Sequence, residues 1–212
     1  MSLIHPATCL ISGGTGSGKS VFTRSLIESH RQTFVGLPPT PKVLWCYGIF
    51  QDAFRKAIQN TASLFHEGMV DEEYLKTAKP DVLVIDDMMS EKANDTFVHN
   101  LFTKISHHRK ITVIFITQNM YEKGQCKMKR NAHYLVMMRS PSDKSQILTL
   151  ARQLYPGNSK FFLDAYNDAT KHKFGYLFID VSPNSEEETR LQTNILPLPG
   201  KLSRAPIVYV SK

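Results

Sequence analysis

Residues 13–20 read Gly13-Gly14-Thr15-Gly16-Ser17-Gly18-Lys19-Ser20, and the run Ala7-Thr8-Cys9-Leu10-Ile11-Ser12 leads directly into them. The octet satisfies G-x-x-x-x-G-K-[ST], and its place between a strand-like run and residues at helical spacing predicts strand, phosphate loop, helix. Glycines permit the tight turn that aims successive backbone N–H groups, and the positive end of the next helix, at one phosphate chain. Gly13, Gly14, Thr15, Gly16, Ser17, Gly18, Lys19 and Ser20 are therefore the candidate nucleotide-binding residues. Lys19 would reach the β- and γ-phosphates, and the Ser20 hydroxyl would bind the Mg²⁺ that bridges them. The chain is expected to bind a nucleoside triphosphate.

Outward from the loop, the chain has 212 residues, 42% of them hydrophobic, which suits one full α/β core and leaves no room for a second large domain. Residues 1–181 are read as that domain and residues 182–212 as an extended C-terminal tail. The tail carries Glu186-Glu187-Glu188 and Leu196-Pro197-Leu198-Pro199, a composition that offers little to a regular element. No apolar run approaches the roughly 18 residues of a membrane span, and the N-terminus lacks the regions of a secretion signal, so a soluble, intracellular protein is expected. Cys9, Cys46 and Cys126 lie far apart without paired spacing, which suggests neither disulfides nor a zinc site.

The net charge of +7 is uneven. Residues 1–103 carry 9 basic and 11 acidic side chains, whereas residues 104–130 carry 7 and 1. Lys104, His107, His108, Arg109, Lys110, Lys123, Lys127, Lys129 and Arg130 fall in two connections around one predicted strand. They suit either a nucleic-acid backbone or an ordinary solvated edge.

After the loop, Val21, Phe22, Ser25 and Leu26 recur at helical spacing, and Pro38-Pro39-Thr40-Pro41 stops the segment. Strands are expected at 42–47, 81–86, 111–117, 133–138 and 176–181, with a short strand or link at 63–66. Helices are expected at 50–59, from Asn94 with Asn94 or Asp95 as its cap, at 142–154 and at 159–172. The continuous apolar runs Val82-Leu83-Val84-Ile85 and Ile111 to Thr117 are the kind buried on both faces of a parallel sheet. Alternation of strand and helix predicts an α/β fold: a mostly parallel central sheet flanked by helices.

Asp86 and Asp87 end one such strand, where phosphate-loop NTPases keep a second magnesium-site motif. Asp86 would hold the metal through its water shell, and Asp87 would orient or deprotonate the attacking water. Gln118, at the end of the strand 111–117, would touch the γ-phosphate or the water, since ligands of open α/β sheets bind beyond the carboxyl ends of the strands. Arg130 and Arg139 are the candidate cations for charge developing on the γ-phosphoryl group.

With these pieces in order, the chain resembles the HerA/FtsK superfamily of DNA-pumping ATPases, and within it the short viral branch of poxvirus-type packaging ATPases and those of Polinton and adintovirus elements. The resemblance covers about residues 5–185. It rests on Gly13 to Ser20, on Val82-Leu83-Val84-Ile85-Asp86-Asp87, and on Ser106-His107-His108 leading into Ile111 to Asn119. It continues in Asn131-Ala132-His133-Tyr134 and Gly175-Tyr176-Leu177-Phe178-Ile179-Asp180. It implies a P-loop NTPase with a RecA/FtsK-like core and a homo-oligomeric ring. That ring would hydrolyse ATP with Mg²⁺ to drive double-stranded DNA into a capsid, in contact with a capsid or portal-type protein of the assembling virion. It also implies a phosphate role for Lys19, metal roles for Ser20 and Asp86, water activation by Asp87 and a sensor role for Gln118. Two departures stand out: Asp87 lies where bacterial translocases of the superfamily usually have Glu, and the appended domains of cellular relatives are lacking. A nucleotide or small-molecule kinase on the same core, or a DNA-dependent ATPase outside packaging, is the alternative; no arginine-bearing lid is legible for a kinase, and no Asn-Lys-x-Asp segment for a GTPase.

Overall fold

The computed structural model describes residues 2–49, 56–88, 92–121, 129–142, 144–197 and 205–211, with residues 92–95 described by backbone alone. In chain order the first half holds β1 (Leu3–Ile4), β2 (Thr8–Ser12), α1 (Lys19–Glu28), α2 (His30–Thr33), β3 (Phe34–Val35), β4 (Lys42–Tyr47), β5 (Ala62–Glu67), α3 (Glu72–Ala78) and β6 (Val82–Asp86). Then α4 (Lys92–Asn100) runs through a π-helical stretch, Leu101–Ile105, into α5 (Ser106–Arg109). The rest comprises β7 (Thr112–Thr117), β8 (Tyr134–Met138), α6 (Lys144–Leu154), α7 (Ser159–Ala169), β9 (Tyr176–Asp180), β10 (Leu191–Thr193) and β11 (Ile207–Tyr209).

Nine strands form one sheet in the order β11-β10-β9-β8-β2-β7-β6-β4-β5. The six from β8 to β5 are mutually parallel, while β9, β10 and β11 add on antiparallel. A pleated strand sends successive side chains to opposite faces, so a strand covered on both sides must be apolar throughout. In β2, Leu10 joins the core on one face while Cys9 and Ile11 join the other; in β6, Leu83 and Ile85 are divided from Val82 and Val84 in the same way. The uninterrupted apolar runs of the sequence are explained by these two cores. Cys9 and Cys46 are free and buried within them, and burial pushes each thiol up to about 12; Cys126 lies outside the described residues. No helix of the described residues is long and apolar enough to cross a membrane.

Three expectations need correction. The helix expected at 50–59 has residues 50–55 outside the described set, and Lys56 to Gln59 are not helical. Asn94 and Asp95 do not cap a helix, because α4 begins at Lys92. Residues 182–212 are not free of regular structure: β10 pairs with β9, and β11 with β10. Leu191 is fully buried in the core, and the Tyr209 hydroxyl donates to Asp168 Oδ2 at 2.7 Å. Strands of three residues are too short to show a period, and they form here because the edge of β9 supplies partners for their backbone groups.

Candidate nucleotide site

The phosphate loop is held by its backbone. Gly13 N donates to Thr117 O at the end of β7, Ser17 N turns back to Gly14 O at 3.1 Å, and Phe22 N donates to Gly18 O at 2.8 Å as α1 begins. Glycine is demanded here, as Gly18 and Gly13 show. Gly18 has φ 98°, a region costly for L-residues, and a Cβ on Gly13 would stand 2.6 Å from Met138 Cβ. At its N-terminus α1 has no capping side chain and no acid in its first turn. By contrast, Asp71 caps α3 and Asn158 caps α7. The open amides and positive end of α1 are thereby left to an anion.

Around this loop the sheet order assembles the remaining groups. Strands β2, β7 and β6 are neighbours, so their carboxyl ends present the loop, Gln118 and the Asp86-Asp87 pair side by side. Ser20 Oγ donates to Asp86 Oδ2 at 3.0 Å. Gln118 Nε2 donates to Asp87 Oδ2 at 2.7 Å, and Thr15 Oγ1 donates to Gln118 Oε1 at 3.3 Å, which links the loop to the second carboxylate through one amide. Lys19 Nζ donates to Gly13 O at 2.7 Å and Gly14 O at 3.1 Å, so the ammonium lies across the loop from which it rises. Lys19, Ser20, Asp86, Asp87 and Gln118 are thus brought together, in a cleft of about 490 Å³ also lined by Tyr47 and Phe174.

Burial drives the electrostatics of this cleft. Desolvation lowers the Lys19 pKa, opposed by the charges of Asp87 and Asp86. Asp86 is 8% exposed, and desolvation raises its pKa against the hydrogen bond from Ser20, with Asp87 adding repulsion and Lys19 opposing it. A group of hard oxygen donors under such pressure to be neutralised fits Mg²⁺, which takes one or two protein oxygens and completes its shell with phosphate and water. Among the described residues no three His, Cys, Asp or Glu side chains gather to hold a metal alone, so phosphate oxygens would have to complete the site.

The two arginines separate. Arg139 follows β8 at the carboxyl end of the sheet and lines a second cleft with Gly14, Thr15, Gly16, Ser17 and Gln118 of its own chain. Arg130 precedes β8 beside Asn131, whose carbonyl accepts from Thr8 Oγ1 at the start of β2. It is exposed at the opposite end of the sheet from the loop. Described members of the basic stretch share that far end: His107, His108, Arg109 and Lys110 lead into β7, and Lys129 and Arg130 into β8. Arg109 pairs with Glu72 at 2.6 Å and Lys129 donates to Gln153 at 2.6 Å; Lys123 and Lys127 lie outside the described residues. Phe174 and Val21 also line the cleft, and no motif marks them as site residues in the sequence. The one available signal was an aromatic inside the otherwise polar turn Lys171-His172-Lys173-Phe174-Gly175.

No family model and no curated protein matches the chain. Solved structures do. The genome packaging NTPase B204 from Sulfolobus turreted icosahedral virus 2, in complex with sulfate, is similar with a TM-score of 0.52 and 12% identity over 83% of this chain and 92% of that one. The same protein in complex with AMPPCP gives 0.50 and 11% over 83% and 93%. The cytoplasmic domain of EssC gives 0.53 and 13% over 97% of this chain and 39% of its own. At these identities the fold is what is shared, and it is the P-loop NTPase fold, as the loop and sheet predicted.

Proposed function

We propose that this chain is an ATPase of the HerA/FtsK superfamily that translocates double-stranded DNA and packages a viral or virus-like genome into a capsid. The observation that carries the reading is the pair of contacts Ser20–Asp86 and Asp87–Gln118 at the mouth of a phosphate loop. Fold likeness to a genome packaging NTPase over nearly the whole of that protein supports the packaging role. ATP would lie with its phosphates on residues 13–20, its γ end toward Asp86 and Asp87. Magnesium, held by Ser20 and through water by Asp86, would neutralise charge on the β- and γ-phosphates. Asp87, oriented by Gln118, would take the proton of the attacking water, and Gln118 would register the γ-phosphate through its tie to Thr15.

In a homo-oligomeric ring the two arginines would serve different phosphates. Arg139, which lines a cleft with the loop, would serve a nucleotide in its own chain, while Arg130 would act as a finger only across a subunit boundary. The basic far end offers a surface for the DNA backbone, and a capsid or portal-type protein would anchor the ring at assembling virions. The test is ATP hydrolysis by the purified chain with and without duplex DNA. Turnover should rise with DNA and collapse in Lys19→Ala; turnover indifferent to both, or phosphate transfer to a nucleoside monophosphate, would defeat the motor assignment.

A further inference from the structure

We infer that Phe174 is the ring on which the purine base of the bound nucleotide stacks, and that the segment following β10 closes the far wall of that base pocket. The inference rests on the nucleotide reading above and extends it from the phosphates to the base. Phe174 is 53% exposed and adopts φ 63°, a left-handed conformation that costs a bulky residue energy while leaving apolar surface in water. Its loop is pinned. Gly175 N donates to His172 O at 3.0 Å, Arg139 N donates to Gly175 O at 3.3 Å, and a Cβ on Gly175 would stand 2.5 Å from Ala169 O. The ring is therefore held over the phosphate loop, where a Cβ on Gly18 would come within 2.9 Å of Phe174 Cδ1.

Beside the ring lies a cavity of about 220 Å³ bounded by Gly18, Val21, Phe22, Phe174, Tyr176 and Leu196. Water occupies about 30 Å³ per molecule in the liquid, so the space admits a bicyclic base. Val21, on the first turn of α1, is 70% exposed and faces the same space. Opposite it, Leu196 N donates to the Tyr176 hydroxyl at 3.3 Å, and the Tyr176 ring packs edge-on against Phe22 at 4.6 Å, which fastens the segment after β10 against α1. Gly18, Val21 and Phe174 line both this cavity and the phosphate cleft, so the two adjoin. A triphosphate whose γ end faces Asp86 and Asp87 leaves the loop at its other end beside the first turn of α1, which delivers the base to the Phe174 face. An aromatic face attracts any base through its π system without needing hydrogen bonds to the base edge.

The decisive comparison is the affinity of the full chain, in magnesium, for ATP and for inorganic tripolyphosphate, which has the phosphates and no base. Phe174→Ala should weaken ATP by at least about tenfold and leave tripolyphosphate within about twofold, while Phe174→Trp should keep ATP affinity. Unchanged ATP binding in Phe174→Ala would overturn the inference and reassign the ring to a contact between subunits. An equal loss of both ligands would also overturn it, by making the loop a prop for the phosphate cradle. If the parent protein binds neither ligand, the nucleotide site itself falls, and the base pocket with it.

Discussion

Asp87→Asn tests the proposed chemistry with the least structural disturbance. Asp87 has φ 53°, and Asn is among the residues that tolerate this left-handed region best. The amide oxygen of Asn can accept the hydrogen bond that Gln118 Nε2 now gives to Asp87 Oδ2 at 2.7 Å. The side chain is exposed, so stability should change by no more than about 0.5 kcal/mol. Lys19 keeps Asp86 as an anionic neighbour, so nucleotide affinity should persist. What disappears is the basic carboxylate. A positioned general base is worth about 10²–10⁴ in rate, or about 2.7–5.5 kcal/mol of barrier at 1.36 kcal/mol per tenfold. Phosphate release at saturating ATP should fall by that factor, with ATP affinity and melting temperature close to those of the parent. Asp87→Gly, which suits the same backbone, should show the same loss. A kcat within about threefold of the parent, or affinity and stability falling in step with kcat, would refute the role assigned to Asp87.

Gly18→Ala forces an L-residue into φ 98° and places its Cβ 2.9 Å from the Phe174 ring. The strain of about 1–2 kcal/mol should lower the melting temperature by about 2–8 °C in calorimetry, and an unchanged value would contradict the loop geometry. His133 Nδ1 accepts from the Thr8 backbone N–H at 3.1 Å, and burial together with His107 lowers its pKa. Its contribution is complete above the unfolded value of about 6.5 and is lost as pH falls through the lower folded value, so melting temperature should drop below pH 6.5 less steeply in His133→Gln than in the parent. Apart from the Ser25 and Tyr176 hydroxyls, the side chains lining the base cavity offer no hydrogen-bonding atoms, and such pockets discriminate weakly. GTP should compete with ATP within about tenfold in a displacement assay; a preference beyond about 10³ would show that the base edge is read.

The amino-acid sequence by itself determined the phosphate loop, because its requirements are local: glycines where φ must be positive or backbones approach closely, then a lysine and a serine on the first helical turn. It also determined β2, β6 and β7, since strands sealed on both faces must be apolar without interruption, and the acids Asp86 and Asp87 that end β6 stand out against that run. Which strands neighbour one another was decided only in three dimensions. The order β6-β7-β2 brings Asp86 to Ser20 across 66 positions of sequence, and the same packing sends Arg139 to the loop and Arg130 to the opposite end. Residues 191–193 and 207–209 became strands only because β9 offered an unpaired edge, and Phe174 became part of the cleft only because β9 runs antiparallel to β8 and returns its preceding turn to the phosphate end. Local spacing carries the first kind of information; hydrogen-bond partners and faces supplied by distant segments carry the second.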